Sequence, residues 1–195
     1  AEGKLGTVLF VEGQYFHGMG DNRYWQDGDT GELLSIEQAK NHPRAVKSRF
    51  WAMTHPILYL PHELSAILSV LDDRVTQVTC TATRRPSYQY EWLPIPDIEA
   101  ALMRTEKGAI LRLATGFVVP TAVPNHWYHI MGTKGRVETN RFEGDAMKMW
   151  RADANDGKAL EMEWDYDPAT APARALASGH GGMDYYPMAT FIDSI

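Results

Sequence analysis

Cysteine is almost missing from this chain: among 195 residues only Cys80 carries a thiol. A lone thiol excludes a disulfide framework within the chain and any Cys-x-x-Cys metal knuckle. An excess of cations is missing too, since 19 Lys and Arg stand against 25 Asp and Glu, for a formal charge of -6. With no basic stripe to track phosphates, nucleic acid is not an expected partner. No apolar run approaches the roughly 20 residues of a spanning helix, and the first residues lack a signal-like apolar core. No membrane association is therefore read from the sequence, and a reducing, cytoplasmic setting is the expectation, with export left open. Also lacking is a Gly-x-Gly-x-x-Gly turn between a strand and a helix, so a dinucleotide-binding half, if there is one, lies outside this sequence. The chain begins at Ala1 without a methionine and stops inside an amphipathic pattern, which reads as a fragment.

What is present suits one globular domain over residues 1–195, with 44% hydrophobic and 23% charged residues. Its most informative stretch runs from Trp51 to Leu71. Thr54 has the chemistry of an N-cap and Pro56 suits a first turn. On a helical wheel Ile57, Leu60, Leu64, Ile67, Leu68 and Leu71 share an arc of about 100°, the core face, with His55, Tyr59 and His62 nearly opposite. Pro61 removes an intrahelical hydrogen bond, so the first turn is expected to be kinked or separate. Ahead of this helix, Leu5 to His17 alternates as a strand. Residues 18–49 read as an insertion-like polar loop with one short helix at Ser35–Gln38, where the spacing is that of a capping box. Asp21, Asp27 and Asp29 do not match a calcium loop and read as solvated turn residues. Strands follow at 74–83, with Cys80 expected in the core, then at 97–105, 109–119, 125–131, 136–140, 147–152 and 160–164. Tight turns join several of them, including Gly132-Thr-Lys-Gly135, whose flanking strands exclude a phosphate loop. A last helix is expected over 183–195. The class is α+β: an open, predominantly antiparallel sheet with helices covering one face.

Several side chains could carry chemistry. A period of two places Tyr15 and His17 on one strand face, about 7 Å apart, where the pair could bind hydroxyls or shuttle a proton. His55 at a helix entrance could orient a ligand or exchange a proton, because its unperturbed pKa of about 6.5 leaves both forms accessible. Trp51 could wall a sugar ring. Gly179-His-Gly-Gly-Met-Asp184 offers backbone N–H groups before a helix, flanked by His180 and Asp184. Each of these also has a structural reading, as a capping, half-buried or core residue. Metal binding by His17, His55, His129 and His180 has no local ligand motif behind it, and no metal is assigned.

In order along the chain, Lys4-Leu-Gly-Thr-Val, Thr54-His55-Pro, Asp73-Arg-Val-Thr-Gln-Val-Thr, Tyr128-His-Ile-Met-Gly-Thr-Lys-Gly-Arg-Val-Glu138 and His180-Gly-Gly-Met-Asp184 resemble the C-terminal domain of the glucose-fructose oxidoreductase/inositol dehydrogenase/MocA family. The resemblance implies the substrate and oligomerisation half of a two-domain enzyme whose N-terminal Rossmann domain binds NAD or NADP. It also implies a sugar or polyol substrate and homo-oligomerisation through the sheet. The family's catalytic lysine belongs to the first domain, so this chain alone is not expected to transfer a hydride. Glu12-Gly-Gln-Tyr15-Phe-His17 with Thr54-His55 is similar to the family's NAD-dependent glycosidase branch, which works by transient C3 oxidation and elimination, although Pro56 stands where that branch has glycine. On this resemblance His55, Tyr15 and His17 are the catalytic candidates, and Trp51, Thr54, His180 and Asp184 the substrate contacts. A non-catalytic binding or oligomerisation module is the remaining alternative.

Overall fold

The computed structural model describes residues 3–18, 23–118, 126–142, 144–154 and 158–162, with isolated positions beyond. Residues 1–162 form one unit and 163–195 another; the expected last helix, His180 and Asp184 lie outside the described residues.

An eight-stranded sheet dominates the first unit. Its strands are β1 (Val8–Phe16), β5 (Val75–Ala82), β6 (Ile98–Thr105), β7 (Ile110–Gly116), β8 (His126–Gly132), β9 (Gly135–Glu138), β10 (Met147–Arg151) and β11 (Leu160–Met162). Their order is β11-β10-β9-β8-β1-β7-β6-β5. The described pairings are antiparallel except that of β1 with β7, which is parallel. The first strand thus sits in the middle of the sheet, between segments about a hundred residues later in sequence. Four- to eight-residue runs of alternating burial explain the sheet: in β6, Glu99, Ala101, Met103 and Thr105 are buried while Leu102 and Arg104 are exposed.

The helical stretch is split, as Pro61 dictates. A 3-10 turn, Pro56–Tyr59, precedes α2 (Pro61–Leu71), which begins at the proline. Thr54 is not the cap. The turn starts from His55 without a side-chain cap bond, and the Thr54 hydroxyl instead donates to the Phe50 carbonyl at 2.5 Å. Leu60 and Ile67 are buried against Val11, Ala101, Met103, Leu111 and Leu113, with Ile57, Leu64, Leu68 and Leu71 packed around them. At about 1.5–3 kcal/mol for each fully buried aliphatic side chain, this contact fixes the helix on the sheet. The close approach depends on Gly13 of β1, where a Cβ would stand 2.9 Å from Leu113 Cδ2 and within 3.5 Å of Ile67 and Glu63.

Two expectations are corrected. Cys80 is exposed, because β5 is the sheet edge and the helical layer leaves most of that strand exposed. The 18–49 segment is not a mere loop. It holds a three-stranded sheet of β2 (Trp25–Asp27), β3 (Leu33–Leu34) and β4 (Ala45–Lys47), in the order β3-β2-β4, as well as the short helix α1 (Ile36–Asn41). That helix does carry the Ser35–Gln38 capping box, and Asp27 is a turn residue, accepting from the N–H groups of Asp29 and Thr30. The strands escape the periodicity test because two or three residues cannot display a period. Tyr24 packs with Ala52, Leu93 and Ile95, tying the inserted sheet to the 86–96 loop. Among the described residues no helix is long and apolar enough to cross a membrane.

Candidate functional site

Sheet register assembles the site. Glu99, Thr115, Tyr15 and His126 are successive partners across β6, β7, β1 and β8, so all four side chains leave the same, helix-bearing face near the end of β1. Each end of this row carries a carboxylate–imidazole pair.

At one end His55 Nδ1 lies 3.1 Å from Glu99 Oε1, while Glu99 Oε2 accepts the Ile57 N–H at 2.8 Å. A carboxylate on Nδ1 selects the tautomer that leaves Nε2 as a proton acceptor. The Arg85 guanidinium also approaches His55 Nδ1, at 3.5 Å. At the other end His126 Nδ1 lies 2.5 Å from Glu63 Oε1. Glu63 comes from α2, its side chain has 0% exposure, and its second oxygen has no partner among the described residues. Both histidines keep part of their surface open, at 29% and 39% of the side chain.

Between the pairs stands Tyr15. Its ring stacks on His62 at 5.1 Å, lies 4.6 Å from His126 and meets His17 edge-on at 5.9 Å. Burial raises its pKa, the Glu63 charge and then Tyr59 adding to the effect and Arg23 opposing it, so at neutral pH Tyr15 is a phenol that can donate a hydrogen bond. His17 is pushed the other way, below its ordinary range, by burial first and then by the Arg23 charge. It is a neutral imidazole near pH 7. Tyr128, next along the β8 face, is pushed up to about 12 by burial and then by the Glu63 charge. Trp51, Tyr59 and Phe117 complete an aromatic wall, with Trp51 and Tyr59 stacked at 6.4 Å and Phe117 edge-on to both. Such a wall, beside polar groups that can donate and accept, suits a flat polyhydroxylated ring.

Of the residues singled out from sequence, Tyr15, His17, Trp51 and His55 border this one region, and Thr54 adjoins it with its hydroxyl committed to Phe50. His129 lies on the opposite face of the sheet, bonded to Glu12, so it cannot share a ligand with His17 and His55. Sequence reading missed Glu99, Thr115, Glu63, His126 and His62 as site members. Glu99 had a usable signal: it is a carboxylate in phase with Ala101 and Met103 on an apolar strand face.

The profile of the GFO/IDH/MocA C-terminal domain family matches residues 1–138. Among curated proteins none matches this chain. The fold is similar to that of a putative oxidoreductase from Thermotoga maritima, at 15% identity and TM-score 0.56, covering 83% of this chain and 42% of that one. It is similar to an inositol dehydrogenase homologue from Azotobacter vinelandii, solved with NADH and myo-inositol, at 18% identity and TM-score 0.53, over 85% of this chain and 38% of that one. A levoglucosan dehydrogenase in complex with NADH gives 13% identity and TM-score 0.54, over 86% and 42%. The chain thus spans about two fifths of the length of these structures. With the matched residues running from the first strand through β9, the chain belongs to the GFO/IDH/MocA C-terminal domain family.

Proposed function

We propose that this chain is the substrate-binding domain of an NAD(P)-dependent oxidoreductase acting on a sugar or polyol hydroxyl, its nicotinamide held by an N-terminal Rossmann domain. The observation that carries this reading is the His55–Glu99 pair, a base of fixed tautomer in one row with Thr115 and the protonated phenol of Tyr15. The inositol and levoglucosan dehydrogenases of like fold support the substrate class.

The residues present do not fit a dinucleotide themselves: the sequence offers no glycine-rich strand–helix turn for a pyrophosphate. They fit the alcohol. A nicotinamide held by the Rossmann domain would supply the chemistry of a hydride acceptor. His55 Nε2 takes the hydroxyl proton as the carbinol carbon becomes a carbonyl, and Glu99 stabilises the imidazolium formed. Tyr15 donates a hydrogen bond to the same or a neighbouring oxygen. The aromatic wall of Trp51, Tyr59 and Phe117 flanks the ring's C–H groups, and Thr54 and His17 border the opening. His180 and Asp184 remain candidates for further substrate contacts. The uncovered sheet face, where Leu102 and Ile110 are exposed, suits the family's assembly into homo-oligomers.

A titration of histidine-labelled chain with myo-inositol and levoglucosan, followed by NMR, tests the reading. Perturbation of the His55 and His17 signals is expected, and His55→Asn should weaken binding about 5-fold, one hydrogen bond's worth. A panel of sugars and polyols that leaves every site histidine unmoved would sink it.

The second pair, Glu63–His126, favours one other reading, glycoside hydrolysis by transient oxidation and elimination. That route needs a second base, for a proton on carbon, and a simple dehydrogenase does not.

A further inference from the structure

Among the described residues five arginines hold a carboxylate and six, Arg23, Arg49, Arg84, Arg85, Arg104 and Arg136, do not, and of these six only Arg23 is not exposed. Arg44, Arg74, Arg112, Arg141 and Arg151 each hold a carboxylate: Asp29, Glu106, Glu12, Glu138 and Asp153 respectively. Carboxylates are in excess, 25 Asp and Glu against 19 Lys and Arg, so an arginine without one is not short of choice. Arg23 has none among the described residues. Its guanidinium lies over the Trp51 ring, 5.3 Å from the centroid, and its charge acts on Tyr15, His17 and Tyr59. It therefore borders the candidate site.

Arg84 and Arg136 also sit on aromatic rings, those of Tyr88 and Trp150. Both are exposed residues, however, and water neutralises their cost. Arg23 is half-buried, and a partly desolvated guanidinium facing a site is the arrangement that recognises carboxylate or phosphate through two parallel hydrogen bonds. The site's own carboxylates cannot serve it. Glu63 is wholly buried and bonded to His126 through one oxygen, and Glu99 is held by His55 and the Ile57 N–H; neither pairs with Arg23 among the described residues. On the far side of the row Arg85 brings a second, exposed guanidinium to His55.

We infer that the substrate is an acidic sugar or polyol, one whose ring carries a carboxylate or phosphate group that Arg23 receives while Trp51 flanks the ring. This rests on the substrate-domain reading above and narrows its substrate class.

Calorimetric titration of this chain with two matched pairs is the test: D-glucuronate against D-glucose, and myo-inositol 1-phosphate against myo-inositol. The acidic member of at least one pair should bind roughly 10-fold more tightly, with an advantage that shrinks as salt is raised. The pair that responds tells carboxylate from phosphate. Arg23→Gln should bring that pair to parity while leaving the neutral ligand's affinity unchanged, and Arg23→Lys should restore part of the preference. Equal affinities within both pairs, or a preference that survives Arg23→Gln, would overturn the inference and leave the substrate-domain reading intact. If no member of either pair binds, both fail together.

Discussion

Glu63 is the residue whose presence most needs a reason beyond packing. A carboxylate with 0% exposure and, among the described residues, one unpartnered oxygen and one contact to His126 costs stability, because little there offsets its desolvation. Leucine fits the same helix position against Gly13 and Ile67. Glu63→Leu should therefore raise stability by roughly 1–3 kcal/mol, seen as a higher urea midpoint, because the half-exposed His126 left behind can hydrogen-bond to water. A large loss of stability instead would make Glu63 a structural anchor. His17 gives a second test. Its pKa is lowered in the folded chain, so near pH 6 the unfolded chain binds more protons and stability rises with pH. The contribution is full above about 6.5 and is lost as pH falls through the lowered value. Between pH 5 and 7 the melting temperature should climb, and His17→Gln should flatten part of that slope. An unchanged slope would place the titrating group elsewhere. At this scale a residue's own type and strand phase suffice to place Tyr15 beside His17 on one face, where their rings meet. They do not suffice for Glu63 and His126, whose meaning comes only from each other, 63 positions apart.

Elements were legible where they are long and periodic. The strands over residues 75–82, 98–105 and 126–132 fall within a residue or two of expectation, since alternation over seven or eight residues leaves little choice of register. The six apolar positions from Ile57 to Leu71 all meet the core, although the helix wheel assumed one continuous helix and Pro61 divides it. What escaped was short: the strands of the inserted sheet hold two or three residues each, and their stability comes from Tyr24 packing on distant residues. The turn between β8 and β9 was read as a turn from its glycines, and the structure supplies the reason. A Cβ on Gly132 would stand 2.1 Å from the Leu5 carbonyl oxygen, a backbone atom that cannot step aside. Gly132→Ala should cost about 2 kcal/mol, within the usual range for overpacking, as a lowered denaturation midpoint. A neutral result would mean that the segment before β1 shifts freely.

For the whole molecule, the class and the helix-covered face followed from counting elements, but the strand order did not. Tight turns predict neighbours only for consecutive strands; nothing local announces that β1 enters between β7 and β8 with a parallel partner.

The parallel pairing of β1 with β7 also has a consequence in time. Tyr15 leaves the ribosome about a hundred residues ahead of the groups beside it in the row, Thr115 and His126. Until then β1 has neither of its neighbours, and its exposed edges and apolar face must be kept from other chains. The row therefore closes late in folding, when a loop of about a hundred residues is drawn shut. A nascent or truncated chain that ends before β8 has the first histidine pair's sequence in full and still lacks the second half of its site.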